Sequence, residues 1–141
     1  MSSFDISASA LTAQRLRMDV IAQNIANASS TRTEGGEPYR RKITVLSPQK
    51  AKNSFGSYLS KSMASGGGVK VSAIIEDKTP FKIMHDPAHP DADENGNVRL
   101  PNVDTTQEML DMMASTRAYE SNITVLNATK SMAMKALEIG R

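Results

Sequence analysis

The residues best suited to chemistry fall in one stretch, His85–Asn97, HDPAHPDADENGN. Asp91, Asp93, Asn95 and Gly96 repeat the first half of a calcium-binding EF-hand loop, where alternate oxygens face one cation and a glycine makes the turn. The second half of that pattern is missing. Its twelfth position is Asn102 rather than a bidentate glutamate, and Pro87 and Pro90 occupy the place of the incoming helix. His85 and His89 have a zinc-ligand spacing that works on a helix, and Pro87 between them forbids one. A turn-rich loop accounts for the stretch, with Asn95-Gly96 as a hairpin turn.

Catalytic sets are lacking elsewhere. The chain has no cysteine and two histidines, both in that loop. No phosphate-cradling glycine loop precedes a helix, and no G-x-S-x-G occurs. Scattered carboxylates alone do not make an acid–base site. No catalytic, cofactor-binding or metal-ligating residue is assigned, and the chain is expected not to be an enzyme. Composition argues the same way: 141 residues, 39% hydrophobic but only 4% aromatic, leave little core around a deep pocket. A formal net charge of +2 is too small to argue for nucleic acid or an anionic membrane. No uninterrupted apolar run exceeds three residues, so no direct membrane insertion is expected. Asp5, Arg15, Arg17 and Asp19 stand where a secretory apolar region would be, so a cleaved signal peptide is not expected either.

The elements that must carry the loop are two helices far apart in sequence. The longer begins after Asp104, three residues before Gln107 in a capping-box spacing, and runs to Gly140, placed as a C-cap. Met109, Met112, Thr116, Tyr119, Ile123, Leu126, Lys130, Ala133 and Leu137 fall three and four apart. That step averages about 3.5 residues and keeps one seam turned toward a partner helix. Lys130 and Thr116 in the seam suit packing among several helices better than a dry two-stranded zipper. Met112, Met113, Met132 and Met134 read as packing rather than as a ligand groove. At about 1.5 Å per residue the rod is roughly 50 Å long, too long for a small domain to cover.

The shorter helix covers 4–28, with Phe4, Leu11, Met18, Ile21, Ile25 and Ala28 in the same step and Ser7 and Gln14 as polar interruptions. Asp5 or Ser7 can cap its start. Asn24 and Asn27 near its end serve either the turn or a neighbouring helix, and spacing does not choose between them. Gly35, Gly36 and Pro38 make 29–38 a loop. Tyr39–Leu46 alternates as a strand, and its basic run Arg40, Arg41 and Lys42 reads as a solvated edge, with an acidic partner or cell-wall polymer as the other reading. Further strands are expected at 69–76, 81–84 and 98–100. The Ser-, Lys- and Gly-rich segment 47–68 is expected to be flexible. The expected fold is α+β: residues 4–28 plus 104–140 pair as an α-helical coiled-coil layer, and 29–103 form a small antiparallel β-rich insert between them.

Three segments carry a resemblance: NIANASSTRTEGGEPYRRK, HDPAHPDADENGNVRLPNV and EMLDMMASTRAYESNITVLNATKSMAMKALEIG. Together they resemble bacterial flagellar axial proteins of the rod and hook, and within that family the proximal rod proteins of the basal body. The resemblance implies a non-enzymatic subunit of the periplasmic rod that carries torque from motor to hook. It implies export by the flagellar type III apparatus without a cleaved signal peptide. Partners would be other rod proteins and copies of the same chain, with no nucleic acid and no cofactor. Asn24, Ile25, Asn27, Arg117, Ala118, Tyr119, Asn122, Val125 and Leu126 match the family's helix motifs, which moves Asn24 and Asn27 toward the packing reading. The expected assembly interface is Leu11, Met18, Ile21, Asn24, Ile25, Asn27, Met109, Met112, Arg117, Tyr119, Asn122, Ile123, Leu126 and Leu137. One departure is the turn after the first helix, SSTRTEGGEPY, which is longer than the T-P-G-Y of many relatives. The competing reading is a stand-alone coiled-coil adaptor or export chaperone, which would form a stable helical dimer by itself.

Overall fold

The structure is a computed structural model that describes residues 3–49 and 67–140. Its order is α1 (Ser3–Ala26), β1 (Lys42–Pro48), β2 (Val69–Glu76), β3 (Lys82–His85), β4 (Asn97–Leu100) and α2 (Thr105–Ile139). The β insert is two separate antiparallel ribbons, β1–β2 and β3–β4.

Asp104 starts α2 as expected: its carboxylate accepts from the backbone N–H groups of Thr106 and Gln107, offsetting two of the donors a helix leaves open at its first turn. At the other end Gly140 has φ −85, a backbone any residue adopts, so the helix stops there without using glycine's left-handed freedom. The strand expected from Tyr39 starts at Lys42, because Tyr39 turns back to α1: its N–H bonds Ser30 O and its hydroxyl bonds Asn24 Oδ1. Ser47 and Pro48, assigned to the flexible segment, pair with Lys70 and Val69 in the ribbon, and Gln49 N–H bonds Gly68 O. Residues 50–66 of that segment lie outside the described residues. A bulge between Val45 and Leu46 shifts the β1–β2 register.

α1 has two working faces. One meets α2, and two contacts fix the direction: Asn24 reaches Glu108, and Met18 Sδ lies 3.6 Å from Thr116 Oγ1. The pairing is therefore antiparallel. The other face carries the β1–β2 ribbon. There Ser9 Oγ accepts from Val69 N–H, and Gly68 lies so close that a Cβ on it would overlap Ser9 Oγ. That face (Ile6, Ser9, Ala13, Leu16, Val20) sits at helical spacing beside the Leu11, Met18, Ile25 seam.

Carrying the α1–α2 register on, Ser3 falls level with about Lys130. From Lys130 onward every described residue of α2 is exposed. α2 thus runs roughly 15 Å beyond α1.

Candidate assembly interface

At the base of the helix pair lies a polar junction that sequence reasoning did not assemble. Glu108, in the first turn of α2, is 1% exposed. A carboxylate there is favoured by the open N–H groups of the helix start. Its Oε1 accepts from Arg41 Nε at 2.6 Å and its Oε2 from Asn24 Nδ2 at 2.9 Å. Asn24, also 1% exposed, uses its side-chain amide as a peptide group would. Its Oδ1 accepts from Lys42 N–H at 2.9 Å and its Nδ2 donates to Lys42 O at 2.8 Å, so α1 caps the outer edge of β1. The Tyr39 hydroxyl donates to the same Oδ1 at 3.0 Å.

Arg41 binds the junction to the rest of the chain. Its Nη1 lies 3.6 Å from Asp77 Oδ2 and its Nη2 3.5 Å from Asp111 Oδ2. Its backbone N–H donates to Asn102 Oδ1 at 2.8 Å, and the Asn102 amide reaches Thr79 Oγ1 at 2.8 Å. Burial alone would lower the Arg41 guanidinium, but the Glu108 hydrogen bond and charge, then Asp77 and Asp111, outweigh it and raise it. Arg41 is a fixed cation at any ordinary pH. Burial, then the negative charges of Glu108 and Glu76, push the Tyr39 hydroxyl above its usual value. The Thr79 backbone N–H holds the Asp77 carboxyl below the usual range, and Arg41 adds to this against the opposing effect of burial. The basic run is thus not a solvated edge: Arg41 is enclosed by three carboxylates, and Arg40 lies 4.3 Å over the Phe81 ring.

The expected interface residues divide sharply. Ile21, 5% exposed, and Asn24 are closed off inside the protomer, where they position α1. Leu11, Met18, Ile25, Asn27, Met112, Tyr119, Asn122 and Leu126 are half-buried. Met109, Arg117, Ile123 and Leu137 are exposed, Leu137 at 76%. The two open readings of the asparagine pair are both used, one each: Asn24 bonds the neighbouring helix, while Asn27 Nδ2 donates to Gln23 O in its own helix end. Within α2 the most buried residues are Glu108 and Ser115, with Met112, Thr116, Tyr119, Asn122 and Leu126 half-buried around them. Polar Glu108 and Ser115 are the fully buried residues of α2, and nine of its large hydrophobics are exposed.

The loop first suspected of chemistry is folded on itself. Asp93 Oδ1 accepts from the N–H groups of Asn95 and Asn97, and Asp91 takes the Thr31 hydroxyl at 2.8 Å. Gly96 has φ +74, the left-handed region that glycine supplies. Gly96 N–H bonds Asp93 O and Asp93 N–H bonds Asn97 O, so Asn95-Gly96 forms the tight turn expected, inside the longer β3–β4 connection. The longer turn after α1 is closed by Thr33 and Glu37, with Gly36 at φ +77.

Comparison with known proteins fits an axial subunit rather than a catalyst. The family described as "Flagella basal body rod protein" matches residues 4–32, covering α1, and "Flagellar basal body rod FlgEFG protein C-terminal" matches residues 94–139, covering α2. The chain is 52% identical to the flagellar basal-body rod protein FlgC of Bacillus subtilis (strain 168), over 99% of this chain and 97% of that protein. It is 46% identical to the FlgC of Borreliella burgdorferi (98% and 95% covered) and 42% identical to that of Salmonella typhimurium (100% and 98%). Its class is therefore structural, a subunit of the flagellar basal-body rod and not an enzyme. Within that class the chain belongs to the FlgC family. Assembly with other rod proteins and with itself follows from this membership, as does a place in the basal body. It also decides against the adaptor or chaperone reading.

Proposed function

We propose that this chain assembles through its terminal helices, in coiled-coil fashion, into the axial shaft that transmits torque across the periplasm. The exposed parts of both helices meet other molecules, while the β insert stands outside the helical layer. The chain travels to that place through the flagellar type III export apparatus, guided by its uncleaved N-terminal region. No helix among the described residues is long and apolar enough to cross a membrane, which suits a subunit seated between membranes.

One observation carries this reading. Among the described residues only Ala13, Val20, Ile21, Val98 and Val103 are buried hydrophobics, whereas nineteen large hydrophobics are exposed, nine of them on α2. Such a surface is favourable only if other molecules cover it. A head-to-tail contact that does not close would propagate as a shaft. The test is sedimentation and circular dichroism of the purified chain, alone and with neighbouring rod proteins. A largely monomeric chain that gains helix when partners are added is expected. A concentration-independent dimer that melts cooperatively by itself and ignores rod proteins would overturn the assembly reading.

A further inference from the structure

The proposed shaft needs a surface on each neighbour for the exposed end of α2, and the base of the helix pair offers one. There α1, the start of β1 and the first turns of α2 leave a cleft of about 210 Å³ between them. Val20, Ile43 and Leu46 line it, with Arg17 beside them. We propose that this cleft receives the tip of α2 from a second copy of the chain, with Glu138 paired to Arg17 and the apolar side chains beside Glu138 set against the cleft wall. The inference rests on the assembly reading and names one contact through which it acts.

Charge points to a carboxylate as the group received. Of the cations lining the cleft, Arg41 is held by Glu108, Asp77 and Asp111, and Lys42 lies 5.8 Å from the centroid of the Tyr39 ring. Glu108 and Asp111 are thus matched already and do not repel an incoming anion as free carboxylates would. Arg17 is half-buried, and among the described residues it makes no ion pair. The tip of α2 carries what Arg17 lacks. Met134, Leu137 and Glu138 lie three and four apart, so they share one face of the helix. All three are exposed, and among the described residues Glu138 makes no ion pair either. Lys135 lies off that face, and Lys130 is about two turns back. Size and reach fit a side chain from another molecule. A cavity of about 150 Å³ holds benzene, so the cleft has room for a leucine or methionine side chain and none for a helix. Carrying the α1–α2 register on, Arg17 is level with about Arg117, so Glu138 stands roughly 30 Å along the axis from Arg17 of its own chain. Only a copy displaced along the axis brings the two together. Such a contact is head-to-tail and does not close on itself, as the proposed shaft requires. Apolar burial supplies its affinity, and the charge pair fixes which side chains meet.

The chain has no cysteine, so a pair introduced at the two positions reports this contact alone. Arg17→Cys and Glu138→Cys are placed together in one full-length chain, expressed as its only copy in cells, and basal bodies are isolated under oxidising conditions. A disulfide needs Cα atoms about 4.4–6.8 Å apart, which the two positions of one chain cannot meet, so any bond between them joins two molecules. A ladder of disulfide-linked copies is expected, and either substitution alone should give none. Charge reversal is the second arm. Arg17→Glu and Glu138→Arg are each expected to lower the amount of chain incorporated into rods by at least about tenfold, and the two in one chain to restore it. Rods that contain the double-cysteine chain without cross-linking it, a disulfide to a different rod protein, or a double reversal no better than either single variant would overturn the contact. Circular dichroism of each purified variant checks its folding: the cross-link decides if a reversal variant fails to fold, and the reversals decide if the double-cysteine chain stays out of rods. Native chain missing from isolated rods would instead defeat the assembly reading itself.

Discussion

The two ends of α2 are the instructive pair. Both are helix, both are rich in methionine and leucine, and no break separates them. At its start, α2 buries a glutamate and holds an arginine, an asparagine and a strand edge around it. At its end Met132, Met134, Leu137 and Ile139 stand in solvent, Ile139 at 87%. Polar residues inside and apolar residues outside invert the usual arrangement. The inversion means that fold and assembly draw on different interactions. The protomer holds its hydrogen bonds and charge at one end, and in the proposed assembly hydrophobic burial falls to its neighbours at the other.

The comparison breaks most readily at Arg41. Arg41→Met leaves Glu108 buried with no cation, and removing one partner of a buried pair costs about 3–5 kcal/mol. Chemical denaturation of the isolated chain should show the loss. Arg41→Lys keeps the charge but cannot fork toward three carboxylates, so it should recover only part. A fully stable Arg41→Met protein would mean that the junction does not hold the fold. Asn24→Asp is a finer probe because the shape is unchanged. One oxygen still accepts from Lys42 N–H, but the other faces Lys42 O and the Glu108 carboxylate. A loss of about 1–3 kcal/mol is expected, whereas Asn27→Asp, at the helix end, should have much less effect.

How much of this was legible beforehand follows from the kind of force involved. Both helices, the Asp104 cap and three of the four strands stand close to where spacing puts them, because period and capping are local signals. Asn24 was legible as a residue of interest, though not its duty, since one amide at a helix end suits two roles. Of the seam expected on α2, Met112, Thr116, Tyr119 and Leu126 are half-buried; Glu108 and Ser115, which are buried more deeply, escape a periodicity that counts apolar residues. Arg41 stood out only as part of a basic run, not as the centre of a junction. Its partners Asp77, Glu108 and Asp111 lie far along the chain, and an ion pair leaves no mark in its own neighbourhood of sequence. The second face of α1 was hidden because Ser9 and Gly68 work by being small.

Acid provides a milder perturbation of the same end. Asp77 is held below its usual value of 3.8, so its protonated form is the weaker partner in the fold. Its contribution is whole at neutral pH, begins to fade as pH falls toward 3.8, and is lost once pH passes the lowered folded value. Asp77→Asn should flatten the acid limb of the stability profile and leave the neutral-to-alkaline part in shape. Tyr39 works in the opposite direction: its raised value means stability is lost as pH climbs above 10.0. An acid limb identical in the Asp77→Asn chain would remove Asp77 from the set of groups that matter.

The smallest effect on the protomer is expected at the other end, and it separates the two regions most cleanly. Leu137 lies on the side of α2 that faces α1 lower down, but past the point where α1 stops, and it touches little of its own chain. Leu137→Asp should therefore change the stability of the isolated chain by no more than about 0.5 kcal/mol. In the assembled shaft the same carboxylate would be desolvated without a partner, a cost the contact cannot absorb. Cells carrying the substitution should make folded protein and lose motility. Leu126→Asp is the contrasting variant, because Leu126 is half-buried against its own chain and should weaken protomer and assembly together. If Leu137→Asp cells swim normally, the exposed end of α2 is not where neighbours bind, and the apolar surface must be covered instead along Met109, Leu110 and Met113 near the junction.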